Sequence, residues 1–303
     1  MTRFRFADIG NQSGKTVLVT GANTGLGFEI GRHLALRGAR VLMACRNRAK
    51  GEDAIARIES EMPGADLQFL ALDLADMESI RAAVDRVANE ARLDVLINNA
   101  GLMMPALGYA HGVEQQIGVN HLGHFALTGL LLDRLASDGG GRVVTQASIA
   151  HRGARLDLDN LDARKGYDRN AFYKQSKLAN LLFTLELDRR LRAAGSPVAA
   201  LACHPGVAKT EIARHVGPAK VVLPLIGWLL NSPQCGALPA LQAATDPQAH
   251  GGDYFGPYGL AELRGSCSGP AYISGNARDA SVARQLWTRS VELTGIDPAL
   301  PVG

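Results

Sequence analysis

Residues 15–38 read KTVLVTGANTGLGFEIGRHLALRG. The apolar run Val17, Leu18, Val19 stops at Gly21 and reads as a buried strand. A helical pattern follows from about Gly25 to Arg37, and Gly38 is placed to end it. Between them the turn TGANTGLG carries Gly21, Gly25 and Gly27, with Asn23, Thr24 and Leu26 interleaved. Glycines let the chain turn tightly and approach a ligand closely. The start of the following helix offers unpaired N–H groups and the positive end of its dipole, which suit a pyrophosphate. The spacing is GxxxGxG rather than GxGxxG. Taken alone, the turn fits a plain strand-to-helix connection as well as a nucleotide site.

Working outward, the same alternation recurs. Apolar runs lie at ARVLMAC (39–45), LQFLALDL (67–74), LDVLINNAG (93–101), GRVVTQAS (141–148) and PVAALACHPG (197–206), with a weaker one at AYIS (271–274). Helical patterns are expected over about Ala49–Glu61, from Asp76 or Ser79 onward, over roughly Val113–Leu135 and over 171–195. Continuous apolar runs separated by helices fit a parallel sheet covered on both faces. The expected fold is a single-domain, doubly wound α/β sheet of about seven strands with ligands beyond the strands' carboxyl ends. Residues 1–303 read as one domain, with 1–14 as an N-terminal extension. The Pro/Gly-rich stretch 207–270 reads as a substrate lid and irregular insertion.

Composition narrows the function. The chain has 303 residues, 47% hydrophobic and 20% charged, with a formal net charge of +3, which gives no reason to expect a nucleic-acid partner. Its four cysteines are widely spaced with no CxxC pair, as expected of reduced thiols in a cytoplasmic protein. The N-terminus shows no apolar signal region. No stable membrane span is expected, since no uninterrupted apolar run approaches the roughly 20 residues a span needs. The nearest, VVLPLIGWLL (221–230), contains a Pro and a Gly. The eight histidines form no HExxH-type pattern, and no metal is expected.

Candidate chemistry collects at the strand ends. The second strand ends MACRN, where Arg46 and Asn47 stand and no carboxylate does. An Arg there accommodates a 2′-phosphate, which favours NADP(H) over NAD(H). Tyr173 and Lys177 are four apart and share one helical face. A phenol normally loses its proton near pH ~10. A neighbouring ammonium favours the phenolate and makes proton exchange easier. Ser148 ends the fifth run, NNAG (98–101) ends the fourth, and Asn120 lies in GVNHLGHF. On one rim, a hydroxyl, a phenol and an ammonium could hold a carbonyl oxygen and deliver a proton to it.

This ordered set (TGANTGLG, NNAG, Asn120, Ser148, YxxxK and HPG) resembles the short-chain dehydrogenase/reductase family from about residue 15 to about 210. The stretches VNHLGHFALTGLLL and QSKLANLLFTLEL look like its branch of retinol dehydrogenases, WW-domain oxidoreductases and their bacterial relatives. The resemblance implies a Rossmann-type fold and roles by position. Tyr173 would be the acid/base. Lys177 would hold the nicotinamide ribose, Ser148 the substrate oxygen, and Asn120 a relay water through its backbone. Gly21, Gly25 and Gly27 would meet the phosphates and Arg46 the 2′-phosphate. Asp73 and Leu74 would contact adenine, Asn98, Ala100 and Gly101 match the family's cofactor-binding turn after the fourth strand, and Pro205, Gly206 and Thr210 would hold the nicotinamide. Two features depart from the simplest pattern. Ser148 and Tyr173 are separated by an insertion, and Thr24 stands where many NADP-preferring members carry a basic residue.

The expected activity is an NADP-dependent short-chain alcohol dehydrogenase or carbonyl reductase acting on a bulky apolar substrate. A NADP(H)-binding regulatory or interaction protein without turnover, and a reductase of C=C bonds, are the alternatives. Residues 211–233 are apolar and read as a lid, a core helix, or a surface patch for dimerisation or weak membrane contact. The helix of QSKLANLLFTLEL is expected either to pair with its mate in a homodimer or to be covered by the C-terminal tail.

Overall fold

The computed structural model describes residues 3–137, 139–207 and 231–302. The strands are β1 (Thr16–Thr20), β2 (Arg40–Cys45), β3 (Leu67–Ala71), β4 (Val95–Asn98), a two-residue hairpin pair β5 (Tyr109–Ala110) and β6 (Val113–Glu114), β7 (Arg142–Gln146), β8 (Ala199–Cys203), β9 (Tyr254–Pro257) and β10 (Ser268–Pro270). The helices are α1 (Gly25–Ala35), α2 (Arg48–Glu61), α3 (Met77–Val87), α4 (Gly123–Ala136), α5 (Arg169–Ala193), α6 (Pro233–Thr245) and α7 (Ala280–Thr294). Of the two start signals read before α3, Asp76 is the cap, and Asp168 caps α5, each accepting a first-turn backbone N–H.

One sheet of eight strands runs β10-β9-β8-β7-β4-β1-β2-β3, parallel except for β10 against β9. The order reverses between β1 and β4, which opens a crevice at their carboxyl ends. Side chains alternate along each strand. Val17, Val19, Val41, Met43 and Ile97 face the layer of α1, α2 and α6. Leu18, Leu42, Leu96 and Val143 face the layer of α3, α4 and α5. Helix α7 lies on α5, with Trp287 stacked at 6.1 Å on Phe183 and the Arg190 guanidinium 4.4 Å from the Trp287 ring. Of the two expected covers for α5, the C-terminal one is thus observed. Among the described residues no helix is long and apolar enough to cross a membrane.

Four expectations need correction. The sheet has eight strands, and residues 271–274 are not one of them. The seventh and eighth strands, YFGP and SGP, are too short and too rich in Gly and Pro to read as apolar runs. The stretch 207–270 is not irregular throughout, because it contains α6, β9 and β10. Helix α6 forms despite Pro239 in its interior, since Ala237, Leu238 and Leu241 bury a full face against the sheet. The helix expected from Val113 starts later: β6 comes first, and a π-helical turn (Gly118–Leu122) precedes α4. Finally, the described part of the 1–14 extension, residues 3–14, packs into the fold. Phe4 pairs with Ser268 at the sheet edge, and Phe4 and Ile9 are buried. The lid expectation for 211–233 falls outside the described residues except at 231–233. There Asn231 donates to Pro205 O at 3.0 Å and Ser232 caps α6.

Candidate active site

A cavity of about 530 Å³ occupies the crevice, running from the glycine turn to Tyr173 and Lys177. Gly21, Asn23, Thr24, Gly25, Leu26 and Gly27 form one end of its wall. Gly27 tolerates nothing larger, because a Cβ there would lie 2.3 Å from Gly21 O. Thr24 stands at the N-cap of α1 with no side-chain cap bond, and the first turn of α1 lines the cavity. Helix-start N–H groups left uncapped beside a cavity fit a pyrophosphate. The wall also includes Arg46, Asp73 and Leu74, with Arg46 Nη1 3.8 Å from Asp73 Oδ2.

Tyr173 and Lys177 project from consecutive turns of α5 into the other end, each only 5% exposed. Lys177 Nζ donates to Gln146 O at 3.2 Å and lies 5.9 Å from the Tyr173 ring centre. Ser148, two residues past β7, is buried and caps the short turn Ile149–His151, accepting Ala150 N–H at 3.2 Å.

Asn120 sits in the π-helical turn, wholly buried. Its side chain clasps the loop after β4: Oδ1 accepts Leu102 N–H at 2.7 Å and Nδ2 donates to Leu102 O at 2.9 Å. The same Nδ2 reaches Ser176 Oγ at 2.9 Å, and Ser176 donates to Tyr173 O at 2.8 Å. The backbone O of Asn120 faces His124 Nδ1 at 3.0 Å. A carbonyl only accepts, so Nδ1 carries the hydrogen and Nε2 accepts from the Thr20 hydroxyl at 2.9 Å. Thr20 Oγ1 in turn takes the Asn99 and Ala100 N–H groups, each at 2.9 Å. One hydrogen-bonded chain therefore joins the ends of β1 and β4 to the Asn120 carbonyl.

His121 and His124, which share a helical face, thus serve different partners; His121 Nε2 is 2.8 Å from Ser290 Oγ. Burial pushes His121 down to about 3 and His124 down to about 4. Unfolded, both take up a proton near pH ~6.5. Below that pH the unfolded chain binds protons that the native rings refuse. Stability is therefore complete above pH ~6.5 and is lost as pH falls toward 4. Each ring contributes about 2 kcal/mol of this loss between pH ~6.5 and ~5. Urea midpoints at pH 7, 6 and 5 should fall steeply; a flat profile would count against neutral buried rings.

The sequence reading did not anticipate every placement. Asn98 turns its amide away from the cavity to Thr128 Oγ1 at 2.9 Å, while the next residue, Asn99, enters the wall. The strand's alternation decides between the two neighbours. Asn47 is a surface cap on α2, its side chain accepting Lys50 N–H at 3.0 Å. Ala100 and Gly101 line the cavity as expected. Pro205 and Gly206 are buried just past β8, outside the cavity wall. Thr210 lies outside the described residues. Gln146, which shares the wall with Lys177, was missed; only its place two residues before Ser148 could have flagged it.

A glycine-turned helix start, an exposed arginine and a buried Tyr/Lys pair share one crevice, an arrangement suited to binding a dinucleotide beside an acid/base group. The chain belongs to the short-chain dehydrogenase/reductase family, and the family model for short chain dehydrogenases matches residues 15–220. It is 42% identical over 288 residues to retinol dehydrogenase 11 of Homo sapiens, covering 93% of this chain and 86% of that one. To retinol dehydrogenase 13 of Homo sapiens it is 43% identical over 293 residues, covering 94% and 86%. Among solved structures, an uncharacterized protein from Mycobacterium paratuberculosis is similar at TM-score 0.82 and 41% identity, over 98% of this chain and 99% of that one. A Beutenbergia cavernae protein, named as an NAD(P) dependent gluconate 5-dehydrogenase and solved with NADP at low occupancy, is similar at TM-score 0.61 and 26% identity, over 78% and 91%.

Proposed function

We propose that the protein interconverts a bulky apolar alcohol and its aldehyde or ketone with NADP(H). The observation that carries this reading is the burial of Tyr173 and Lys177 on the wall of the cavity that also holds the glycine turn. The dinucleotide supplies the hydride chemistry when bound. Gly21, Gly25 and Gly27 with the first turn of α1 would hold its phosphates, and Arg46 its 2′-phosphate. Ser148 would donate to the substrate oxygen. Tyr173 would give that oxygen a proton in reduction and take it back in oxidation. The Lys177 ammonium, held by Gln146 O, favours the charged form of the phenol. Asn120 keeps the β4 loop and α5 in register, so the acid/base group stays placed.

Two observations support an apolar substrate. Leu102, Met103, Pro105 and Val119 line the cavity that Tyr173 also lines. The relatives named above are retinol dehydrogenases, and retinol is a long apolar alcohol. The test is a panel of long-chain and isoprenoid aldehydes and ketones, followed by nicotinamide absorbance with NADPH and NADH, with product analysis. Carbonyl reduction with NADPH is expected. Cofactor binding with no absorbance change across the panel would favour a regulatory role, and a saturated C–C product would favour a double-bond reductase.

A further inference from the structure

Past the stretch that the family model matches, three segments meet at one carboxylate. Glu262 Oε2 is 3.0 Å from His204 Nε2 and pairs with the Arg152 guanidinium; Oε1 accepts Tyr272 N–H at 3.1 Å. Arg152 directly follows the turn that Ser148 caps, and His204 opens the HPG segment after β8. The His204 ring is oriented from both sides. Gly206 N–H donates to Nδ1 at 3.1 Å, so Nδ1 is the acceptor and Nε2–H points at Glu262. Burial pushes the His204 pKa down, in keeping with a neutral ring that donates rather than a second cation.

The surrounding chain is built tightly to hold this contact. A Cβ on Gly256 would lie 2.1 Å from His204 Nε2, and one on Gly206 would lie 2.4 Å from Leu263 O. Val207 N–H donates to Leu263 O at 2.9 Å. Ala261 and Glu262 are consecutive non-glycine residues in the left-handed region, at φ 50 and φ 59. Such residues are strained and persist where surrounding contacts outweigh the cost. The Ser148 turn has a second tie: His151 Nδ1 donates to Ser148 O at 2.6 Å, and Ser274 N–H donates to His151 Nε2 at 3.3 Å.

We infer that Glu262 is a positioning residue that locks the turn carrying Ser148 to the His204–Gly206 segment, and so holds the proposed substrate-oxygen donor in place. This rests on the oxidoreductase reading above. Glu262 touches no reacting atom; it acts through Arg152 on one side and His204 on the other. Cutting one arm should loosen one segment, and cutting the carboxylate should loosen both.

The test uses the full chain with three variants. Glu262→Ala should speed amide hydrogen exchange at both 149–152 and 204–207 in the protein without added cofactor, leaving β1, β4 and β7 protected as in the wild type. Arg152→Met should speed exchange at 149–152 alone. Glu262→Gln keeps a neutral acceptor for His204 and should leave 204–207 closer to wild type than Glu262→Ala does. With an active substrate, kcat for Glu262→Ala should fall roughly tenfold to a hundredfold, the scale of a misplacement near 1 Å. Its KM for substrate should move far less, and Glu262→Gln should recover part of the loss. Exchange that rises uniformly across the sheet, or stays unchanged at both segments, overturns the brace. So does a kcat within twofold of wild type. If the wild-type protein reduces nothing in the panel, the proposed function fails, while the exchange pattern still decides the brace.

Discussion

Tyr173→Phe is expected to lower turnover by about a thousandfold or more while NADPH affinity stays within a few-fold. The substitution removes one oxygen from a side chain that is 5% exposed and leaves its ring packing intact. The fold should therefore be unchanged, as a matched urea midpoint would show. Positioned acid/base groups contribute typically 10²–10⁴ in rate. Here the cost belongs at the upper end, because Lys177, one turn on along α5, would act through this phenol rather than replace it, and no other phenol shares the wall near it among the described residues. Tyr109, also in that wall, is an exposed hairpin residue. Steady-state kinetics and fluorescence titration with NADPH, run on one preparation, separate the two effects. Turnover within tenfold of wild type would remove Tyr173 from the chemistry. A parallel loss of NADPH binding would instead make it a cofactor contact first.

The parts of this site that were legible in the sequence share a physical cause. Strands β1, β2, β4, β7 and β8 are covered on both faces, so each appears as an apolar run whatever its register, while the edge strand β3 is only partly buried. The glycine turn was legible because a tight turn against Gly21 O admits no Cβ at Gly27. Tyr173 and Lys177 showed through helical spacing taken together with Ser148, NNAG and Asn120 along the chain. What stayed hidden depended on tertiary context. The choice between Asn98 and Asn99 turns on which way the last residue of β4 faces. The π-helical turn at Gly118–Leu122 changes the hydrogen-bond step without leaving a mark in the apolar pattern. Helix α6 contradicts its own propensity at Pro239 and is held by burial. Glu262 gives no local signal at all: it is one acid in a glycine-rich loop, and its partners lie 110 and 58 positions away.

Arg46→Asp is expected to reverse the cofactor preference, weakening NADPH by about a hundredfold while NADH is unchanged or improved. Arg46 lines the same cavity with 75% of its side chain exposed, and its guanidinium approaches Asp73 at 3.8 Å. An exposed pair at that distance contributes little to stability, so its loss should not disturb the fold. Asp73 is anchored independently, its N–H donating to Ser79 Oγ at 2.9 Å and its Oδ1 accepting Ala75 N–H at 3.0 Å. The guanidinium is thus a loosely held cation beside a fixed wall, suited to closing on a phosphate. Charge-assisted bonds of that kind contribute about 1.5–3 kcal/mol, or roughly ten- to a hundredfold in affinity. A carboxylate at the same place adds repulsion toward the 2′-phosphate and an acceptor for a 2′-hydroxyl. Arg46→Ala separates the two contributions, since it should lose the NADPH advantage without gaining for NADH. Thr24 makes the outcome sharper, because it offers no second cation from the glycine turn to compensate. Paired titrations of wild type and both variants decide the matter: dissociation constants for the two cofactors that stay within a few-fold of each other throughout would leave the 2′-phosphate unrecognised at Arg46.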